Sequence, residues 1–208
     1  MFDVTRYATV AQVIVDAGQV LDGRGWSPAT SSNYSARIDR EHIAITVSGT
    51  HKGKLEVRDV MVVDRDGEPV HCAARPSAET LLHTVIYNLY PEVGAVLHTH
   101  STTSTVLSRH LSDQDELAMT DYELQKALPG YETHASNLCL PIFENTQDIS
   151  ALAERTRRYL TEHPDHPGYL IRGHGLYTWG QTMEDCLRHV EALEFLMSCE
   201  LKQMRVNQ

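Results

Sequence analysis

The sequence predicts an α/β fold in which a mixed sheet lies between helical layers, and three observations carry that reading. Stretches with apolar residues at helical spacing alternate with short apolar runs of strand length. Hairpin signals interrupt the alternation, which argues against a purely parallel sheet. No internal repeat and no Gly/Ser/Pro-rich linker divides the chain, so residues 1–208 read as one domain with a substantial core.

The elements follow in order. Residues 6–22 place Val10, Val13, Ile14, Ala17 and Leu21 at helical spacing. YSARI and HIAITV read as strands, and in VMVVDRDGEPV the Asp66-Gly67 pair between apolar runs signals a tight hairpin. Ser77 to Tyr90 reads as a helix stopped before Pro91. GAVLHTH is a short buried strand, after which Ser101 suits a helix cap. Residues 120–128 read as a short helix and LCLPIF as a strand. Asn145 and Asp148 suit the start of a helix that runs to about His163. GYLIRGHG is the next strand, and GLYTWG turns back from it. A last helix from about Thr182 carries Cys186, Val190, Leu193, Met197, Leu201 and Met204 on one stripe.

Composition narrows the function. A formal net charge of −10 argues against a nucleic-acid groove or an anionic membrane surface as partner, so any bound phosphate needs a local cluster. Nowhere do 18 apolar residues run together, and MFDVTRYATVAQ lacks the basic and apolar regions of a signal peptide. Cys72, Cys139, Cys186 and Cys199 form no C-x-x-C pair, which fits reduced thiols in a cytoplasmic protein.

Candidate chemistry begins at EVGAVLHTHSTT. Residues i and i+2 of a strand share a face, so His98 and His100 project together at the end of an apolar strand. His174, in G-H-G, ends a second apolar strand, and Gly173 and Gly175 would permit close backbone approach. Three imidazoles from two strand ends can build an open zinc site, although on spacing alone each is equally a hydrogen-bonded structural histidine. The other nine histidines read as surface or structural. Glu79 at a helix start and Glu123 in TDYELQKAL are the nearby carboxylate candidates; a dipole partner and a solvated residue near Lys126 are the plain alternatives. SSNYS and SGTHKGK are hydroxyl-rich segments able to cradle an anion, or simply turns, with Lys52 and Arg172 as further cations.

Taken together and in order, Asn33 before a serine, Ser48-Gly49, Ser77 to Glu79, H-T-H and the later G-H-G resemble the class II aldolase/adducin-head family across nearly the whole chain. The resemblance implies a three-layer α/β/α fold with a central mixed, largely antiparallel sheet. It implies one Zn²⁺ per subunit on His98, His100 and His174, and a substrate phosphate held by Asn33, Ser48, Gly49 and Ser77, with help from Lys126. It also implies a homotetramer with active sites at subunit boundaries and a ketose phosphate as substrate. Ser32, Val47 and Ala78 depart from the aldolase pattern, whereas HTHS, DYELQKALPGY, PIFENTQDI and IRGHGLYTWG match a branch that removes water from a ketose phosphate. In that branch Glu123 is the expected acid/base, with Glu79 as rival. A sugar-phosphate aldolase or epimerase using the same zinc is the alternative. The adducin head, a noncatalytic module without the metal histidines, is the reading from another class.

Overall fold

The computed structural model describes residues 3–70 and 75–206. The elements run α1 Val4–Gly23, β1 Asn33–Arg37, β2 Ile43–Thr46, β3 Val60–Val63, α2 Thr80–Leu89, β4 Ala95–Thr99 and α3 Thr102–His110. They continue with β5 Glu116–Thr120, β6 Asn137–Phe143, α4 Ile149–Glu162, β7 Gly168–Ile171, β8 Gly175–Gly180 and α5 Met183–Val206. The eight strands form one sheet in the order β3-β2-β1-β4-β8-β7-β6-β5. Only β6–β7 is parallel, so the sheet is mixed and largely antiparallel as expected.

Alternation of side chains along the strands divides the core between two faces. On one face, Ala95 and Leu97 of β4 pack with Ile14 and Leu21 of α1 and Val190 of α5, and farther along it Leu107 of α3 meets Leu193 and Met197 of α5. On the other face, Val96, Tyr169 and Tyr177 pack with Leu82 and Ile86 of α2 and Leu152 of α4. Helices thus cover both faces, and the architecture has three layers.

Local chemistry sets the element ends. The Asp3 carboxylate accepts from Thr5 N–H at 2.8 Å, Ser101 Oγ from Ser104 N–H at 2.9 Å, and Asp148 from Ala151 N–H at 2.9 Å, capping α1, α3 and α4. Gly67 takes φ +87° in the turn after β3, and among the described residues the returning arm pairs through the isolated Val63–Pro69 bridge.

Two expectations change. Helix α2 begins at Thr80 rather than Ser77, because Pro76 is still engaged in a bridge with Val47. Residues 116–120 are an edge strand with Leu117 and Met119 inward, and the short helix expected over 120–128 is a single 3₁₀ stretch, Glu123–Ala127. Cys139, Cys186 and Cys199 are free thiols, while His71 and Cys72 lie outside the described residues.

Candidate active site

Three imidazoles meet at one end of the sheet. His98 is the penultimate residue of β4, His100 follows the strand, and His174 sits in the turn between β7 and β8. His100 leaves the strand pairing, its N–H donating instead to Trp26 O at 2.8 Å. Two glycines make the convergence possible. A Cβ on Gly175 would lie 2.0 Å from Thr99 O, and Gly173 adopts φ +64°, which L side chains rarely tolerate.

The Nε2 atoms lie 2.7 Å (His98–His100), 3.3 Å (His98–His174) and 3.1 Å (His100–His174) apart. Glu79, the residue preceding α2, places Oε1 3.1 Å from His174 Nε2 and Oε2 3.5 Å from His98 Nε2. Four ligands at about 2.0–2.1 Å around a tetrahedral ion would sit about 3.3–3.4 Å from one another, so this donor set fits a small divalent cation. Among the described residues it is the one cluster of His, Cys, Asp or Glu with converging ligand atoms.

The electrostatics favour neutral rings at His98 and His100. His98 is fully buried, and burial, with His100 and His174 beside it, drives its pKa well below the usual range. Burial brings His100 down to about 4, aided by the neighbouring His174 and Lys52. His98 Nδ1–H donates to Leu176 O at 3.0 Å, which leaves the Nε2 lone pair facing the cluster. Its ring also stacks on Tyr177 at 4.0 Å, fixing the plane.

Behind Glu79 lies a buried chain of hydrogen bonds. Asn33, paired with His98 across β1 and β4, donates from Nδ2 to Glu79 Oε2 at 2.7 Å and to Ser77 Oγ at 3.3 Å. Asn33 Oδ1 accepts from His83 Nε2–H. His83 Nδ1 in turn accepts from Ser35 at 2.7 Å, and Ser35 Oγ meets Tyr87 OH at 3.0 Å. Burial lowers the His83 pKa to about 3, so the ring is neutral and this direction of donation is imposed. Reading the nine remaining histidines as a group missed this role; the i, i+4 spacing from Glu79 to His83 on α2 was the available signal.

A cavity of about 310 Å³ opens beside the cluster, lined by Asn33, Ser48, Gly49, Lys52, Ser77 and His100 among others. Gly49, at φ +81°, is exposed, with open space where a Cβ would point. The cavity also takes in Asn145, which the sequence suggested only as a helix-start residue, and Gln147, which it did not single out. The structure therefore brings His98, His100, His174, Glu79, Asn33, Ser48, Gly49 and Ser77 together. It does not bring Glu123 or Lys126 to them: neither lines the cavity, both are well exposed, and they pair with each other. That Lys126 contact holds the Glu123 carboxylate below its usual range. Arg172 is tied up as well, donating to Glu144 and to the carbonyls of Ser108, Leu111 and Gln114.

Residues 12–201 match the family described as Class II Aldolase and Adducin N-terminal domain, and the chain belongs to that family. Solved structures agree on the fold. An L-fuculose 1-phosphate aldolase superposes with TM-score 0.80 at 21% identity, covering 96% of this chain and 88% of that one. The L-fuculose-1-phosphate aldolase from Thermus thermophilus gives 0.77 at 23%, covering 97% and 98%. Within the family, the chain is 68% identical to a methylthioribulose-1-phosphate dehydratase of Marinobacter nauticus and 62% identical to one of Hahella chejuensis, over 99% of both chains in each case. Among the described residues, no helix is long and apolar enough to cross a membrane.

Proposed function

We propose that this chain is a zinc-dependent dehydratase converting 5-methylthioribulose 1-phosphate to 2,3-diketo-5-methylthiopentyl 1-phosphate plus water in methionine salvage, acting in the cytoplasm as a homotetramer. The observation that carries the reading is the convergence of three imidazoles and Glu79 beside a hydroxyl-lined cavity, in a chain 68% identical to a protein of that name.

His98, His100 and His174 would hold the metal, with Glu79 at or beside the fourth position. Zinc, when bound, supplies Lewis-acid stabilisation for negative charge that develops on substrate oxygens. Asn33, Ser48, Gly49 and Ser77 cradle the phosphate and so fix the ketone near the metal, with Lys126 as an added cation. Glu123 removes the proton from the carbon next to the ketone. It then returns that proton to the hydroxyl leaving from the following carbon, which departs as water. The resulting enol ketonises to the diketone.

Glu123 stands apart from the cavity in the single chain, so on this reading a neighbouring copy supplies it. Its exposure, and that of Leu124 beside it (39%), suit a covered subunit boundary. Covering the pair would strip water from the carboxylate, and a phosphate would compete for Lys126; both effects raise the Glu123 pKa toward the working range.

The test is incubation of the zinc-loaded protein with 5-methylthioribulose 1-phosphate and mass analysis of the product. Loss of one water is expected. Two fragments, or an isomer of unchanged mass, would transfer the reading to an aldolase or epimerase.

A further inference from the structure

Lys52 is a buried charge that the proposed reaction leaves unused. It begins the 3₁₀ turn Lys52–Lys54, directly after the Ser48-Gly49 segment, and only 1% of its surface is exposed. Lysines are almost never fully buried unless paired with an opposite charge. Here Nζ donates to Thr50 O at 2.7 Å and to Thr30 O at 3.2 Å, both neutral carbonyls. Among the described residues no carboxylate pairs with it, and segments 1–2, 71–74 and 207–208 contain no Asp or Glu. An ammonium carries three donors, so one remains for a ligand.

The position is preset. A Cβ on Gly18 of α1 would lie 2.4 Å from Lys52 O, and one on Gly53 would lie 2.1 Å from the Asp22 carboxylate, so the turn is packed hard against α1. Lys52 lines the same cavity as Asn33, Ser48, Gly49 and Ser77, and its charge reaches His100. The other candidate cations are already engaged: Lys126 by Glu123, and Arg172 by Glu144 and three carbonyls. In a chain of net charge −10, an anion entering this cavity meets a buried positive charge that has no carboxylate counter-ion among the described residues.

We propose that Lys52 is the resident cation of the phosphate subsite, whose missing counter-ion a phosphomonoester supplies on binding, and that it makes the site prefer phosphorylated over unphosphorylated ketoses. This rests on the reading above in which Asn33, Ser48-Gly49 and Ser77 form the phosphate cradle. Burial alone lowers the Lys52 pKa to about 8, so the group is still largely protonated at neutral pH, and a bound dianion would raise it.

The experiment compares zinc-loaded wild type, Lys52→Gln and Lys52→Arg, with inorganic phosphate as the probe. Calorimetric phosphate affinity and the phosphate-induced rise in Tm are measured first, then KM and kcat with 5-methylthioribulose 1-phosphate. A charge-assisted contact of this kind is worth roughly ten- to a hundredfold in affinity. Lys52→Gln should weaken phosphate by that factor, lose the Tm rise and raise KM far more than it lowers kcat, while Lys52→Arg recovers much of the affinity. Lys52→Met replaces the Gln variant if the latter does not fold. Phosphate bound as tightly by a folded Lys52→Gln protein as by wild type, with only a lower Tm, would reduce Lys52 to a pin between two loops and overturn the proposal. No phosphate binding to wild type would overturn the subsite itself. Phosphate binding through Lys52 in a protein that fails to dehydrate the substrate would uphold the proposal and reject the assigned reaction instead.

Discussion

His83 offers a sharp test of the buried chain behind Glu79. It has no exposed surface and bridges Ser35 and Asn33, and only the neutral ring can accept from one while donating to the other. Its pKa is about 3 in the folded chain, against an ordinary value of 6.5. The unfolded chain therefore takes up a proton near pH 6.5 that the folded chain refuses. The associated stability is complete above that pH and is lost as pH falls toward 3. Between pH 7 and pH 5 the unfolded state gains about 2 kcal/mol from this single ring. For a chain of this size that corresponds to roughly 4–8 °C in Tm. His83→Gln keeps a donor and an acceptor but cannot titrate, so the variant should lose about 2 kcal/mol less than wild type over the same interval. The assay is denaturant unfolding of chelator-treated protein at pH 7, 6 and 5, where the titrations of His98 and His100 are common to both proteins. Equal pH dependence in the two proteins would refute a neutral, donating His83.

The remaining predictions concern the metal and the acid/base. His98→Ala should strip the metal and abolish turnover together, checked by zinc analysis of the purified protein; full activity would dismiss the ligand assignment. Glu123→Gln should keep zinc while turnover falls about 10²-fold or more; if Glu79→Gln behaves that way and Glu123→Gln is nearly normal, the two roles exchange. Mixing inactive His98→Ala and Glu123→Gln proteins under subunit exchange should restore activity, because some boundaries then combine an intact metal site with an intact glutamate. Gly175→Ala places a Cβ 2.0 Å from Thr99 O, so a cost of about 1–3 kcal/mol from overpacking and weaker zinc retention are expected; denaturant unfolding and metal analysis report them separately.

Much of this site was readable before any coordinates, for identifiable reasons. The H-x-H pair and the G-H-G turn both close apolar strands, and strand alternation is rigid enough that spacing implies direction. The glycines around His174 announced close approach, which Gly175 against Thr99 O bears out. Strand β5 was missed because ELAMT is half polar, an edge strand whose inward Leu117 and Met119 give too short a pattern to register. The His83–Asn33–Glu79 chain was invisible for another reason. It joins β1 to α2 across more than 40 residues, and only the β1–β4 register sets Asn33 beside His98. Lys52 shows the same limit: SGTHKGK offers it, with Arg172, as a further cation for an anion, and only packing against α1 reveals that its charge is buried.

Two electrostatic regimes meet in the fold. In the His/Glu cluster, His98 and His100 are held neutral by burial and by the neighbouring imidazoles, so a divalent cation can enter without first displacing protons from either ring. Glu123 is the opposite case, exposed and held low by an adjacent lysine, an arrangement that suits a weak base in water. A single chain therefore carries a prepared electrophilic centre but a muted base. On the proposed reading, phosphate seated by Lys52 and the hydroxyl cradle draws Lys126 away from Glu123 at the subunit boundary. Base strength would then rise only when a phosphorylated substrate is in place, which ties proton removal to the one feature of the substrate that the cavity recognises by charge.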